Sequence, residues 1–331
     1  MMTSEEWRIE LNKMALQQRP FLFITDFLQQ NPLLYPLDSI DSSTVLFDFE
    51  GFGNTPDSCP PLPDSVVFFP EPPSFEKYNQ AFQKVMHHLS RGDSYLLNLT
   101  MPVKVQTNLS LKTIFFHSKA KYKLWIKDQF VVFSPEPFIM TDGNFIHAFP
   151  MKGTIDAQLA NSKELLLNNS KELAEHYTIV DLLRNDLSMV ATQVRVEKFR
   201  YMESVVTARG PLLQTSSHIK GKLHSDFVKK PGDLLLKLLP AGSISGAPKK
   251  KTLEVISEAE AYSRGYYTGV FGYYDGIKLK SAVMIRYIEK EKDDLIFKAG
   301  GGITVNSNAQ EEYNELVRKV YLPFGSNIEQ K

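Results

Sequence analysis

Lys152 lies in Phe149-Pro150-Met151-Lys152-Gly153-Thr154, between an apolar run and a Gly-Thr pair. It reads as a plain turn lysine, the usual exposed state of that side chain. It also reads as an amine held against apolar walls, able to lose its proton and act as nucleophile or base. Glu136, in the Ser134-Pro135-Glu136 break between two strand-like runs, has a similar pair of readings. Facing solvent it is an ordinary turn acid. Facing a cleft, partial burial raises its pKa and suits it to general-acid work. Glu172 and Glu175 lie three residues apart, as do Glu312 and Glu315, so each pair projects from one helical face. Such pairs are frequent on solvated helices. If the two faces meet, they form an all-oxygen site of the kind Mg²⁺ uses, with positions left for waters and substrate oxygens.

Ala299-Gly300-Gly301-Gly302-Ile303 places three glycines inside a strand-like run, unfavourable unless a backbone or ligand must come close. Arg286 sits in the apolar stretch AVMIRYI, read as strand. Its permanent charge needs a carboxylate partner, internal or substrate-borne. In Leu239–Glu260 a glycine turn and Pro248 lead into a helix that opens on Lys249-Lys250-Lys251. Cations there oppose the helix dipole. They form either a solvated face or, with glycine amides, a receptor for an anion. The spacing is not that of a phosphate loop, so a carboxylate fits better than a nucleotide.

These groups need a scaffold, and 331 residues with 43% hydrophobic and 23% charged content are enough for a large soluble core. Lys+Arg equals Asp+Glu at 38 each, so no global charge steers the chain to nucleic acid or anionic lipid. The single cysteine, Cys59, excludes an internal disulfide framework and fits a reducing compartment. The polar N-terminus does not read as a signal peptide, and no apolar run reaches membrane-span length. The expectation is a cytoplasmic enzyme or binding protein. The seven histidines show no HxxxH spacing or cysteine partner, which argues against zinc.

The elements come in blocks. Apolar clusters in Phe21–Phe52 read as strands and one short helix, and proline-rich residues Asn54–Pro73 as an extended connector. Helices are predicted at Phe75–Arg91, Leu111–His117, Ser162–Asn168, Lys171–Leu183, Phe227–Leu239, Ala247–Ser263 and Ala309–Leu322. Strands are predicted at Tyr95–Val105, Phe130–Phe133, Phe138–Thr141 and Phe145–Phe149. A further antiparallel meander is predicted over Tyr267–Tyr274, Lys278–Glu289 and Leu295–Val305. Blocks of antiparallel strands and helices argue for an α+β fold over a parallel doubly wound one. The expected partition is an N-terminal segment, 1–73, and a catalytic domain, 74–325.

In this order, SPEPF (134–138), PMKGT (150–154), KELAEHYTIVDLLRNDL (171–187), LPAGSISGAPK (239–249), RGYYTGVFGYYDG (264–276), AVMIR (282–286) and AGGGITVNSNAQEEYNE with Lys319 resemble the chorismate-utilising enzymes. That family includes anthranilate, isochorismate and salicylate synthases and aminodeoxychorismate synthase component I. The resemblance covers about Phe75 to Phe324. It implies antiparallel sheets with outer helices around a central cleft. The residue before Gly-Thr is typically alanine in anthranilate and isochorismate synthases and lysine in aminodeoxychorismate synthases; here it is Lys152. Isochorismate and salicylate formers place a lysine base in the strand that here reads YLLNLT. Both differences point to the aminodeoxychorismate branch.

The resemblance further implies site roles. Glu175 and Glu315 would hold Mg²⁺ directly, with Glu172 and Glu312 acting through its waters. Tyr267, Arg286, the amides of Gly300, Gly301 and Gly302, and Lys319 would take the substrate, alongside Gly153 and Thr154. Glu136 would protonate the departing C4 hydroxyl of chorismate while Lys152 attacks C2, and ammonia would then displace the lysine. Ammonia is expected from a separate glutamine amidotransferase, since Cys59 lies in the connector. The short N-terminal piece implies no tryptophan feedback. Two alternatives remain. Anthranilate synthase component I is opposed by Lys152, and a non-catalytic chorismate-binding protein is opposed by Lys152, Glu136 and the intact glutamate pairs.

Overall fold

The computed structural model describes residues 2–207 and 210–325; Met1, the first residue of the expected N-terminal segment, lies outside them. The chain opens with a helix the sequence reading did not assign, α1 (Ser4–Leu16). Thr3 and Glu6 close a reciprocal capping box at its start, and Trp7, Leu11, Met14 and Ala15 are buried on one side. Along the chain follow β1 (Phe21–Thr25), β2 (Leu33–Pro36), β3 (Val45–Phe49), β4 (Phe52–Gly53), β5 (Phe68–Glu71) and α2 (Phe75–Ser90). Next come β6 (Leu96–Thr107), α3 (Leu111–His117), β7 (Tyr122–Ile126), β8 (Phe130–Ser134), β9 (Pro137–Asp142), β10 (Phe145–Ala148) and β11 (Met151–Asp156). Then run α4 (Ser162–Asn168), α5 (Ser170–Ser188), β12 (Ala191–Thr207), β13 (Gly210–Leu223), α6 (Pro231–Leu238), α7 (Gly242–Ser245), β14 (Gly246–Ala247) and α8 (Lys249–Ala259). The last elements are β15 (Val270–Tyr274), β16 (Lys278–Val283), β17 (Tyr287–Glu291), β18 (Asp294–Ile303) and α9 (Ala309–Arg318).

Contacts divide the chain into two units. Unit 1 comprises Met1–Ile40, Glu136–Ser243 and Gly269–Val283; unit 2 comprises Asp41–Pro135, Ile244–Thr268 and Met284–Lys331. Unit 1 contains a sheet in the order β11-β13-β10-β9-β16-β15-β1-β2, with β12 also on β13. Its strand β1, FLFIT, is buried at every position, so both of its faces are covered. Arg8 of α1 pairs with Asp233 of α6 in the same unit. Unit 2 contains a sheet in the order β14-β6-β18-β17-β8-β7-β3-β4, with β5 also on β6. Strands β7 and β8 are fully buried there. Helix α2 starts at the Ser74 cap and buries Tyr78, Ala81, Phe82, Val85 and Leu89, the i, i+3, i+4 stripe of an amphipathic helix. Antiparallel sheets with helices make the fold α+β, as expected.

The contact division interleaves the chain: β1 pairs with β15 in unit 1, and β3 pairs with β7 in unit 2. One expectation changes. The single strand expected over Lys278–Glu289 is two strands in two sheets. β16 pairs with β15 and β9 in unit 1, while β17 pairs with β18 and β8 in unit 2. Between them Arg286 takes φ 55, outside the extended region, which interrupts the ladder. Arg286 is therefore a junction residue, not a strand residue. No helix among the described residues is long and apolar enough to cross a membrane.

Candidate active site

Each unit gathers part of the expected site. In unit 1, Lys152, Gly153 and Thr154 lie within β11 itself, not in a turn after a strand. The β11–β13 register shifts between Met151 and Thr154, so the ladder is irregular where Lys152 and Gly153 sit. Thr215 on β13 donates to the Lys152 carbonyl and pins the backbone. Helix α5 is capped by Asn169, whose side chain accepts from the Glu172 N–H at 3.0 Å. Glu172 thus stands in the first turn, where a carboxylate complements the helix dipole. A Cβ at position 153 would come within 3.0 Å of Glu172 Oε2, and Gly153 has φ +83. Glycine satisfies both requirements. One turn further along α5, Glu175 Oε2 lies 2.7 Å from Lys152 Nζ, with the two side chains 24% and 33% exposed. Glu136 lies between β8 and β9, half-buried, and its carbonyl accepts from the Val283 N–H at 3.3 Å. Thr154 is exposed.

Unit 2 repeats the arrangement on different elements. β18 carries Gly300, Gly301 and Gly302 against Thr100, Leu99 and Asn98 of β6. Asn308 caps α9, accepting from the N–H groups of Gln310 and Glu311. Glu312 is buried and accepts from Ser307 Oγ at 2.9 Å. Lys319, at the helix end, places Nζ 2.6 Å from Glu315 Oε1 and 2.9 Å from the Gly300 carbonyl. A Cβ at Gly301 would sit 3.5 Å from Glu312 Oε2, 3.5 Å from Lys319 Nζ and 3.8 Å from Glu315 Oε1. The glycine therefore keeps the strand surface bare beneath both acids and the lysine. Tyr267 is buried, and burial pushes its phenol up. The Arg286 guanidinium stands over the Tyr321 ring at 5.9 Å, with Nε buried and without a hydrogen-bond acceptor among the described residues.

A model of the chorismate-binding enzymes matches residues 34–324. The chain belongs to that family. A PabA-like protein of Haemophilus influenzae is 50% identical over 322 residues, covering 97% of this chain and 98% of its own. Aminodeoxychorismate synthase component 1 of Bacillus subtilis is 29% identical over 279 residues, which span 78% of this chain and 57% of that protein. Among solved structures, the menaquinone-specific isochorismate synthase MenF of Escherichia coli superposes with a TM-score of 0.74 at 15% identity, over 96% of this chain and 81% of its own; it shows the shared fold.

For a chorismate-binding enzyme, the residues that hold the site in place matter as much as those expected to touch substrate, and several of these were not anticipated. Arg264 of unit 2 donates from Nε and Nη2 to the Glu260 carboxylate at 2.8 and 2.7 Å, and from Nη1 to the Ile244 carbonyl and Thr268 Oγ1 at 3.1 and 3.2 Å. Glu260 in turn accepts from the N–H and hydroxyl of Thr100, both at 2.8 Å. The pair is sealed, with side chains 2% and 1% exposed. It fixes the turn that carries Tyr267 and Thr268. Thr268 has φ 60, unusual for a β-branched residue and held by these bonds. The i, i+4 rule gave no signal for the pair, because α8 ends at Ala259 and Arg264 lies beyond it. In unit 1, His176 follows Glu175, is wholly buried, and places Nε2 2.7 Å from Ser217 Oγ. Burial, aided by the Arg200 charge, pushes its pKa down to about 4, so its ring is neutral near pH 7. Burial first, then the charges of Glu312 and Glu315, pushes the Tyr78 phenol up.

The triple lysine behaves mostly as a solvated face. Lys250 is exposed, and Lys251 pairs with Glu254 at 3.0 Å. Among the described residues no group of three or more His, Cys, Asp and Glu side chains forms a metal cage. Each unit instead contributes two carboxylates, one of which, Glu175 or Glu315, has an ammonium group as its counter-ion. Such oxygen donors fit a hard cation that retains waters and substrate oxygens.

Proposed function

We propose that the chain is an aminodeoxychorismate synthase component I, converting chorismate and ammonia to 4-amino-4-deoxychorismate. Lys152 carries the reading. It occupies the position before Gly-Thr, and its ammonium lies 2.7 Å from Glu175 on a half-exposed strand, within reach of a substrate. Mg²⁺ would be held by Glu175 and Glu315, with Glu172 and Glu312 acting through its waters, and would supply charge neutralisation for a substrate carboxylate. Arg286 would supply a second anion receptor: its buried Nε has no acceptor among the described residues, so a substrate carboxylate would satisfy it. Tyr267, Lys319, Gly153, Thr154 and the amides of Gly300–Gly302 would complete the binding surface.

The chemistry is two linked substitutions. The Lys152 amine, having lost its proton, forms a bond to C2 of chorismate as the double bond shifts and the C4–O bond breaks. Glu136 gives its proton to the departing oxygen, which leaves as water. Ammonia then bonds to C4, the double bond shifts back, and the C2–N bond to Lys152 breaks. Splitting one hard substitution into two lowers each barrier. Ammonia would come from a separate glutaminase, and the reaction would run in the cytoplasm. Product identification by liquid chromatography with mass detection tests the reading, using the purified chain, chorismate, Mg²⁺ and an ammonium salt. 4-Amino-4-deoxychorismate formed only with Mg²⁺ is the expected outcome. Anthranilate or isochorismate as the product would refute it.

A further inference from the structure

In both units a lysine occupies a carboxylate assigned to the metal. Lys152 Nζ lies 2.7 Å from Glu175 Oε2, and Lys319 Nζ lies 2.6 Å from Glu315 Oε1. Two other features recur. A glycine lies against the companion acid, Gly153 at Glu172 and Gly301 at Glu312. The paired acid stands one turn after that companion on its helix. A divalent cation on the same carboxylate repels the ammonium group and competes with it for the carboxylate lone pairs, which weakens the pair. These pairs are also only partly buried, with side-chain exposures of 33% and 24% in one and 25% and 42% in the other. Their strength is therefore small, about 1 kcal/mol or less each, which a divalent cation easily overcomes.

We propose that the two lysines are latches. In the metal-free chain Lys152 closes on Glu175 and Lys319 on Glu315. Glu175, on engaging Mg²⁺, would give up Lys152, and Glu315 would likewise give up Lys319. The inference rests on the Mg²⁺ and nucleophile assignments above and adds an order to them: the metal enters first, and its entry frees Lys152 for the substrate. Lys319 keeps a hold on the Gly300 carbonyl, 2.9 Å away, so it stays beside the glycine strand. The Lys152 backbone is likewise kept in place by Thr215, so release concerns the side chain and leaves β11 where it is.

Two measurements without substrate test the latch. The first is amine acetylation with an isotope-coded reagent at one fixed pH, read peptide by peptide, with and without Mg²⁺. Calorimetry run in parallel establishes that Mg²⁺ binds. Labelling of Lys152 should rise about two- to fivefold with Mg²⁺, the range set by a pair of this strength. Lys13, paired with Glu10 on the surface of α1, should not change and serves as the internal standard. In Glu175→Gln, Lys152 should label at the raised rate with or without Mg²⁺. The second is the Mg²⁺ affinity of Lys152→Met, which should exceed that of wild type by about two- to fivefold. Heat of binding with unchanged Lys152 labelling overturns the latch alone. Weaker Mg²⁺ binding by Lys152→Met also overturns it, and this variant keeps the test decisive if Glu175→Gln fails to fold. No heat at all removes the metal assignment itself.

Discussion

Unit 1 places its lysine and glycine on β11, a strand with a single ladder partner, β13, and an interrupted register. Unit 2 places its glycines on β18, which keeps continuous register with β6 from Leu295 to Ile303, while β17 pairs with it only over Asp294–Lys298. Behind β6 lies the sealed Arg264–Glu260 pair. The same components, a bare glycine and two acids one helical turn apart with a lysine on the second, are thus mounted once on a strand of irregular register and once on a strand of continuous register. Preorganised donors need a rigid mount. A nucleophile that must leave its counter-ion and reach a carbon needs a less constrained one. Under the proposed function, unit 2 would receive the substrate and unit 1 would supply the nucleophile.

The sharpest way to break that contrast is to remove the brace. Arg264→Met leaves the Glu260 carboxylate buried without its counter-ion and should cost about 3–5 kcal/mol, read by urea unfolding. A loss below about 1 kcal/mol would mean that the mount in unit 2 is not held by this pair. Next in size is the contrast between adjacent glycines of β18. A Cβ at Gly300 would lie 2.3 Å from the Leu99 carbonyl, whereas at Gly301 its closest neighbours are at 3.5 Å. Gly300→Ala should therefore destabilise the fold by about 1–3 kcal/mol. Gly301→Ala should fold normally and lose Mg²⁺ affinity by calorimetry. Equal effects on stability would remove the reading of Gly301 as a site glycine.

In unit 1, Gly153→Ala meets a φ of +83 and Glu172 Oε2 at 3.0 Å. About 1–2 kcal/mol of destabilisation is expected in denaturant melts, with loss of Mg²⁺ binding. The smallest expected effect concerns pH. His147 Nδ1 and His218 Nε2, on β10 and β13, lie 2.9 Å apart. Burial, then the His147 charge, holds His218 below the ordinary histidine value; Lys220 and Lys198 add to this and Glu197 opposes it. The folded chain thus binds fewer protons than the unfolded one just below pH ~6.5. Stability present above that pH is lost as the pH falls toward the lowered folded value. His218→Phe should flatten the change in melting temperature between pH 7.5 and 5.5, and an unaltered slope would assign the effect to other groups.

How much of this was legible depended on how local the cause was. Helices α2 and α3 begin at the serine caps Ser74 and Ser110 and end within a residue of the predicted limits, because cap and apolar stripe lie in one short segment. The glutamate pairs were legible for the same reason, since i, i+3 spacing on a helix fixes a shared face. The β16–β17 boundary was not, because Ala282–Ile285 runs apolar into the junction and the Arg286 dihedral marks the change of sheet. The long β12–β13 hairpin also escaped, its polar and apolar residues giving no clean alternation past the register shifts. Lys152 could be singled out, but its pairing with Glu175 could not. That contact exists only because β11 packs beside α5, and no local pattern encodes it.

The most direct measurement is intact-protein mass spectrometry of the chain incubated with chorismate and Mg²⁺ without ammonia. Wild type should gain the mass of chorismate less one water, and Lys152→Ala should gain nothing. An adduct that persists in Lys152→Ala would place the nucleophile elsewhere and contradict the account.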